Sequence, residues 1–258
     1  MIPPKKRLWL RLLILLLVLA GIAIAMAWSL PARFVYDRFG ARVQPLRLQG
    51  IEGTLWSGKS AMASYAARPL GPVQWRLEPM ALLWGSAHGE LRLDGAPINA
   101  ASGFHASARR IVLEHSTATF PASLMAPALD IPSLNLLGEV QVNMSDVVIE
   151  DGLIRSAIGS MTWNDVGVSG AAEARLGRLI VEFAPRVDGV VEGLVRDDGG
   201  PMQASGHFEL RGLQFKAEIK LNARAGHEHI REALLYIGER SLDGGSVLRV
   251  EGVINKLY

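Results

Sequence analysis

Residues 53–60, Gly53-Thr54-Leu55-Trp56-Ser57-Gly58-Lys59-Ser60, match the phosphate-binding loop pattern of nucleotide hydrolases at every position. In that chemistry backbone amides cradle the phosphates, the lysine reaches their outer oxygens and the final serine binds Mg²⁺. The loop works only between a buried hydrophobic strand and a helix N-terminus inside a parallel α/β sheet. Here residues 45–52 (PLRLQGIE) make a short, half-polar strand at best, and residues 61–67 (AMASYAA) run into Pro69, Gly71 and Pro72. No later hydrophobic run ends in an aspartate suited to Mg²⁺. The stronger reading is strand–turn–strand, with Trp56 in the core and Lys59 in solvent.

The other candidates offer less. His227 and His229 open a predicted helix, where positions i and i+2 diverge, and no third metal ligand lies near them. Asp197-Asp198 and Glu150-Asp151 are carboxylate pairs in Gly turns, the usual setting of solvated loop tips and not of a catalytic dyad. Ser169, in Gly167-Val168-Ser169-Gly170, lacks the nucleophile-elbow spacing. Trp75, Trp84 and Trp163 read as core or inter-sheet anchors, with a partner interface as the alternative for an exposed pair. The expectation is of no catalytic, cofactor-binding or metal-binding residue.

Composition narrows the class further. The chain of 258 residues has no cysteine, which excludes disulfides, thiolate metal sites and a cysteine nucleophile. Five of its 27 Lys and Arg residues (Lys5, Lys6, Arg7, Arg11, Arg33) precede Phe34, where no acidic residue occurs. The remainder carries 22 basic against 25 acidic residues, so the body has no electrostatic footprint for nucleic acid. The 27 glycines suit many short strands joined by tight turns.

Residues 12–28 (LLILLLVLAGIAIAMAW) contain no charge, and residues 8–30 together would make roughly 34 Å of helix, enough for the ~30 Å hydrocarbon layer. Lys5, Lys6, Arg7 and Arg11 all lie on its N-terminal side, and Trp9 and Trp28 sit near its two ends. The expected layout is a cytoplasmic basic tail (1–7), a single transmembrane anchor (8–30) and a periplasmic β-rich domain (31–258). A cleaved signal peptide is the competing reading, since Ala23-Ile24-Ala25 and Ala25-Met26-Ala27 fit the cleavage pattern. The apolar run exceeds the usual ~7–15 residues of such a peptide and encloses those sites, which favours the anchor. Either way the body crosses the membrane.

In the body, residues 214–221 alternate strictly: Phe215, Ala217, Ile219 and Leu221 against Gln214, Lys216, Glu218 and Lys220. That is the period of a half-buried strand. Shorter strands are expected at 73–77, 91–93, 140–144, 208–211 and 247–254. Hairpin turns are expected at Asp94-Gly95, Asp151-Gly152, Asp188-Gly189, Asp197–Gly200 and Asp243–Gly245. Helical turns are expected at 31–39 and 120–125, and a helix at 227–237 ending before Gly238. The phrase Gly-x-hydrophobic-x-hydrophobic recurs at Gly89, Gly138 and Gly206, which points to repeated β-meander units. The predicted fold is mainly β, an antiparallel meander behind an N-terminal transmembrane helix, with one or two short helices.

The order of motifs resembles a known family. After the apolar segment come Leu30-Pro31-Ala32, then Gly53-Thr54-Leu55-Trp56-Ser57-Gly58, then Trp75-Arg76-Leu77-Glu78-Pro79 with Leu82-Leu83-Trp84-Gly85. Residues 230–238 (IREALLYIG) and a Gly-flanked strand close the series. The chain is similar to protein N of the type II secretion system. That resemblance implies a non-enzymatic inner-membrane component that supports export of folded proteins from the periplasm across the outer membrane. Its partners would be other inner-membrane and periplasmic components of the machine, with no nucleotide and no cofactor. The main rival is an AsmA-like envelope protein that binds or transfers lipid along an apolar β groove. A nucleotide hydrolase stands third.

Overall fold

The computed structural model describes residues 15–19, 21, 26, 28–65, 68–82, 84–126, 134–242 and 244–253. Most of the apolar segment, residues 8–30, lies outside them, and those described at 15–19, 21, 26 and 28 are helical. Among the described residues no helix is long and apolar enough to cross a membrane. From Pro31 the chain enters helix α1 (Ala32–Phe39), as the proline at its start predicts.

Strands follow in a near-unbroken series: β1 (Leu46–Gly53), β2 (Ser57–Tyr65), β3 (Arg68–Leu77), the short helix α2 (Pro79–Leu82), β4 (Ala87–Asp94), β5 (Asn99–Ala106) and β6 (Arg110–Pro121). The long pair β7 (Leu134–Glu150) and β8 (Leu153–Gly170) comes next, then β9 (Ala174–Pro185), β10 (Val191–Asp197), β11 (Met202–Arg211) and β12 (Gln214–Ala223). Helix α3 (Arg231–Ile237), β13 (Glu239–Arg240) and β14 (Ser246–Val253) complete the body. All the described strands form one antiparallel sheet whose spatial order follows the chain from β1 to β12, then β14, then β13. The meander and the strand at 214–221 are therefore as expected.

The sheet curves until β3 and β14 face the same interior space, which Leu70 and Val250 both line. The bend is built into β7 and β8, whose register shifts between Leu137 and Glu139 and again between Met144 and Asp146. At the first bulge Gly138 has φ +98°, and a β-carbon there would lie 2.2 Å from the Asn164 carbonyl oxygen. The Gly of each repeated phrase has the same physical cause. A β-carbon at Gly89 would lie 2.3 Å from the Arg76 carbonyl oxygen, and one at Gly206 would lie 2.2 Å from that of Glu218. Neighbouring backbone occupies the place of a side chain, so only glycine lets the strands close up.

Antiparallel succession sorts the turns to two ends of the sheet. The proximal end carries the turns at 54–56, 78–86, 107–109, 151–152, 186–190 and 212–213, and receives the chain from the apolar segment through Leu30, whose carbonyl accepts a 2.9 Å bond from the Leu55 amide. The distal end is packed more densely. There Leu136, Val168, Leu176, Met202 and Leu221 bury against Ile230 and Leu234, so α3 and the 3₁₀ turn before it cover the distal end on the later strands of the sheet. A 3₁₀ turn at Ala122–Met125 adds Ala122 to the same cluster.

Two local expectations need correction. Phe120 and Pro121 belong to β6 and not to a helical turn, because they pair with Val140 and Glu139 of β7. The helix predicted from His227 begins as a 3₁₀ turn at Glu228–Ile230 and becomes α-helical only at Arg231.

Candidate functional site

Residues 53–60 form a β-hairpin turn. Gly53 has φ +88°, the Thr54 amide donates to the Ser57 carbonyl at 2.9 Å, and the Ser57 amide returns a bond to Thr54 Oγ1 at 3.1 Å. The ring of Trp75 lies over Gly58, where a β-carbon would come 2.4 Å from it, and its Nε1–H donates to the Leu55 carbonyl at 3.0 Å. The glycines and tryptophans of the two motifs thus serve each other. Ser60 is 1% exposed and its hydroxyl donates to the Gln49 carbonyl at 2.7 Å, while Lys59 reaches into solvent toward Glu52 at 3.1 Å. Trp56 is half-buried and not in the core, and its carbonyl accepts from Leu77 at 2.6 Å.

The remaining candidates are scattered. His227 and His229 have ring centroids 5.8 Å apart, and among the described residues no group of three His, Asp or Glu could hold a metal. Asp151 is fixed by a two-point contact from Arg109 at 2.8 and 2.9 Å, which holds its carboxyl below the usual range; Glu150 faces Arg110 at 3.5 Å. Asp197 departs from the expected solvated loop tip. Its side chain is 11% exposed and accepts from the amides of Ala204 and Gly199 and from Arg224, so it ties the turn after β10 to β11 and β12. Ser169 lies within β8, paired with Asn135.

The tryptophans divide. Trp163 is half-buried, and its Nε1–H donates at 2.9 Å to the Leu137 carbonyl beside the Gly138 bulge. Trp84 is 87% exposed, so it is neither a core nor an inter-sheet anchor. It stands with exposed Met80 and Leu82 on the turn after β3, at the proximal end.

What the structure adds is a cavity of about 700 Å³ enclosed by the curved sheet and walled almost wholly by apolar atoms. Met161, Phe183, Phe208, Phe215 and Ile219 line its middle, and Tyr65, Arg68 and Ile98 stand at its distal rim. Its size is within the roughly 300–1,000 Å³ of ordinary ligand sites. Alternation in β12 announced the apolar face; nothing in the sequence showed that the facing wall would stop short of it.

A curved meander with the paired Gly–Trp turn elements is one side of the comparison with known proteins. The other is a family model, type II secretion system protein N, that matches residues 44–249. The chain belongs to the type II secretion system protein N family. The matched span takes in β1 to β13 and the first half of β14, so the family signature is the sheet itself. A relative from Vibrio cholerae serotype O1 (strain ATCC 39315 / El Tor Inaba N16961), type II secretion system protein N, is 43% identical over 47 residues. That stretch covers 18% of this chain and 19% of the relative. No solved structure matches.

Proposed function

We propose that this protein N family member is a non-enzymatic inner-membrane component of the type II secretion system, supporting export of folded proteins from the periplasm across the outer membrane through protein–protein contacts. The observation that carries the reading is the family match along residues 44–249, which coincides with the β body. Residues 8–30 anchor the chain, residues 1–7 stay in the cytoplasm and the body lies in the periplasm. Two structural facts support that placement. The proximal end of the sheet is bonded to Leu30, the last residue of the apolar segment, and the same end presents exposed Met80, Leu82 and Trp84. Apolar and amphipathic side chains at that position suit a membrane surface.

The test is a pull-down of the detergent-solubilised full chain from its native envelope, with co-purifying proteins and lipids identified. Recovery of secretion-platform or periplasmic linker proteins is the expected result. A second reading, an envelope protein that binds or transfers lipid along an apolar groove, is favoured by the cavity. Stoichiometric lipid without secretion proteins would establish it in place of the first.

A further inference from the structure

We infer that the cavity is a binding site for a single long alkyl chain ending in an anion, the tail of a fatty acid or one tail of an anionic phospholipid. The inference deepens the lipid reading and rests on the cavity that favours it, but it holds equally for a chain whose partners are secretion proteins. Its first ground is hydrogen-bond chemistry. A peptide in this space would bring an amide and a carbonyl with every residue, and an apolar wall leaves each unpaired at roughly 2–7 kcal/mol. Only a ligand with a long stretch free of polar atoms fits such a wall.

Size sets the second ground. At about 30 Å³ per water-sized group, about 700 Å³ accommodates about twenty methylene-sized groups. That is the volume of one long chain.

The rim sets the polarity. Arg68 is the one charged residue among the described lining residues, lies exposed at the distal end of β3 beside Tyr65, and makes no ion pair among the described residues. A guanidinium at the mouth of an otherwise apolar space pairs with a carboxylate or phosphate. The tail then runs from Arg68 past Met161 and Phe208 toward Phe215.

The experiment is photo-crosslinking of the full-length protein in vesicles. One arm uses palmitic acid bearing a diazirine near its methyl end, the other phosphatidylglycerol bearing the same palmitoyl group. Peptides are then mapped. Labelling of peptides containing Met161, Phe208 or Phe215 by either probe is the expected result, and the probe that labels identifies the source of the chain. Ala217→Trp, which fills the cavity, should abolish that labelling and leave the labelling of residues 8–30 unchanged; Ile219→Trp serves if Ala217→Trp does not fold. Arg68→Gln should weaken labelling by the anionic probes and not by the matching fatty alcohol. Labelling confined to residues 8–30, or a co-purifying hydrophobic peptide in the cavity, overturns the inference. Either result leaves the pull-down test of secretion partners undisturbed.

Discussion

Two glycines in the same sheet should respond oppositely to one added methyl group. At Gly206 in β11 a β-carbon would lie 2.2 Å from the Glu218 carbonyl oxygen and 2.7 Å from the Ile219 α-carbon, both backbone atoms of the paired strand. At Gly103 in β5 the nearest atom is the Glu114 carbonyl oxygen at 3.4 Å, ordinary contact. Gly206→Ala can be accommodated only if β11 and β12 move apart by about 1 Å, since neither obstacle is a rotatable side chain. Overpacking of that kind costs about 1–3 kcal/mol, and the one or two ladder bonds stretched beside it add about 0.5–1.5 kcal/mol each. The sum is about 1.5–6 kcal/mol, a fall in Tm of roughly 3–24 °C for a body of this size. Gly103→Ala should be neutral or raise stability by up to about 1 kcal/mol, because alanine restricts the unfolded chain. Thermal unfolding of both variants, followed by far-ultraviolet circular dichroism in one detergent, makes the comparison. Equal midpoints would refute the claim that the repeated glycines are demanded by backbone approach.

Trp163→Phe leaves the Leu137 carbonyl beside the Gly138 bulge without its partner and should destabilise the body by about 1–3 kcal/mol in urea unfolding. Lys59→Ala removes only an exposed pair with Glu52, so stability should change by less than about 1 kcal/mol, and calorimetry with Mg²⁺-ATP should show no difference from the parent chain. Trp84→Cys, the sole thiol in a cysteine-free chain, carries an environment-sensitive dye whose emission should shift to the blue on reconstitution in vesicles, whereas dye on Leu242→Cys should not respond. Arg109 depresses the Asp151 carboxyl, so their contact stabilises the fold above the ordinary carboxylate range and is lost as pH falls through the lowered value; in Arg109→Gln the Asp151 midpoint followed by NMR should return upward.

Strands that keep one register along their length were legible from alternation alone. Phe215, Ala217, Ile219 and Leu221 line the cavity while Lys216 and Glu218 face Glu251 and Arg249 outside, as the pattern required. Residues 140–144 were recognised as a strand, yet they are the middle of β7, which runs for 17 residues. Bulges at Gly138 and near Ser145 shift its phase, and an alternation rule stops at each shift. The Gly58–Trp75 contact was hidden for another reason. Its partners are 17 positions apart and meet only when β2 and β3 pair. The same holds for the cavity, since periodicity assigns a residue to a face and says nothing about how far away the opposite face stands.

The strand order has a consequence for how the body is made. From β1 to β12 every new strand pairs with the one just completed, so a chain delivered N-terminus first can add each hairpin to an existing edge without waiting for distant sequence. The exception falls at the end. β14 must slide between β12 and β13, beside α3, so the residues after β12 complete that side of the wall. Assembly by accretion of this kind leaves that side of the interior unwalled until β14 is in place.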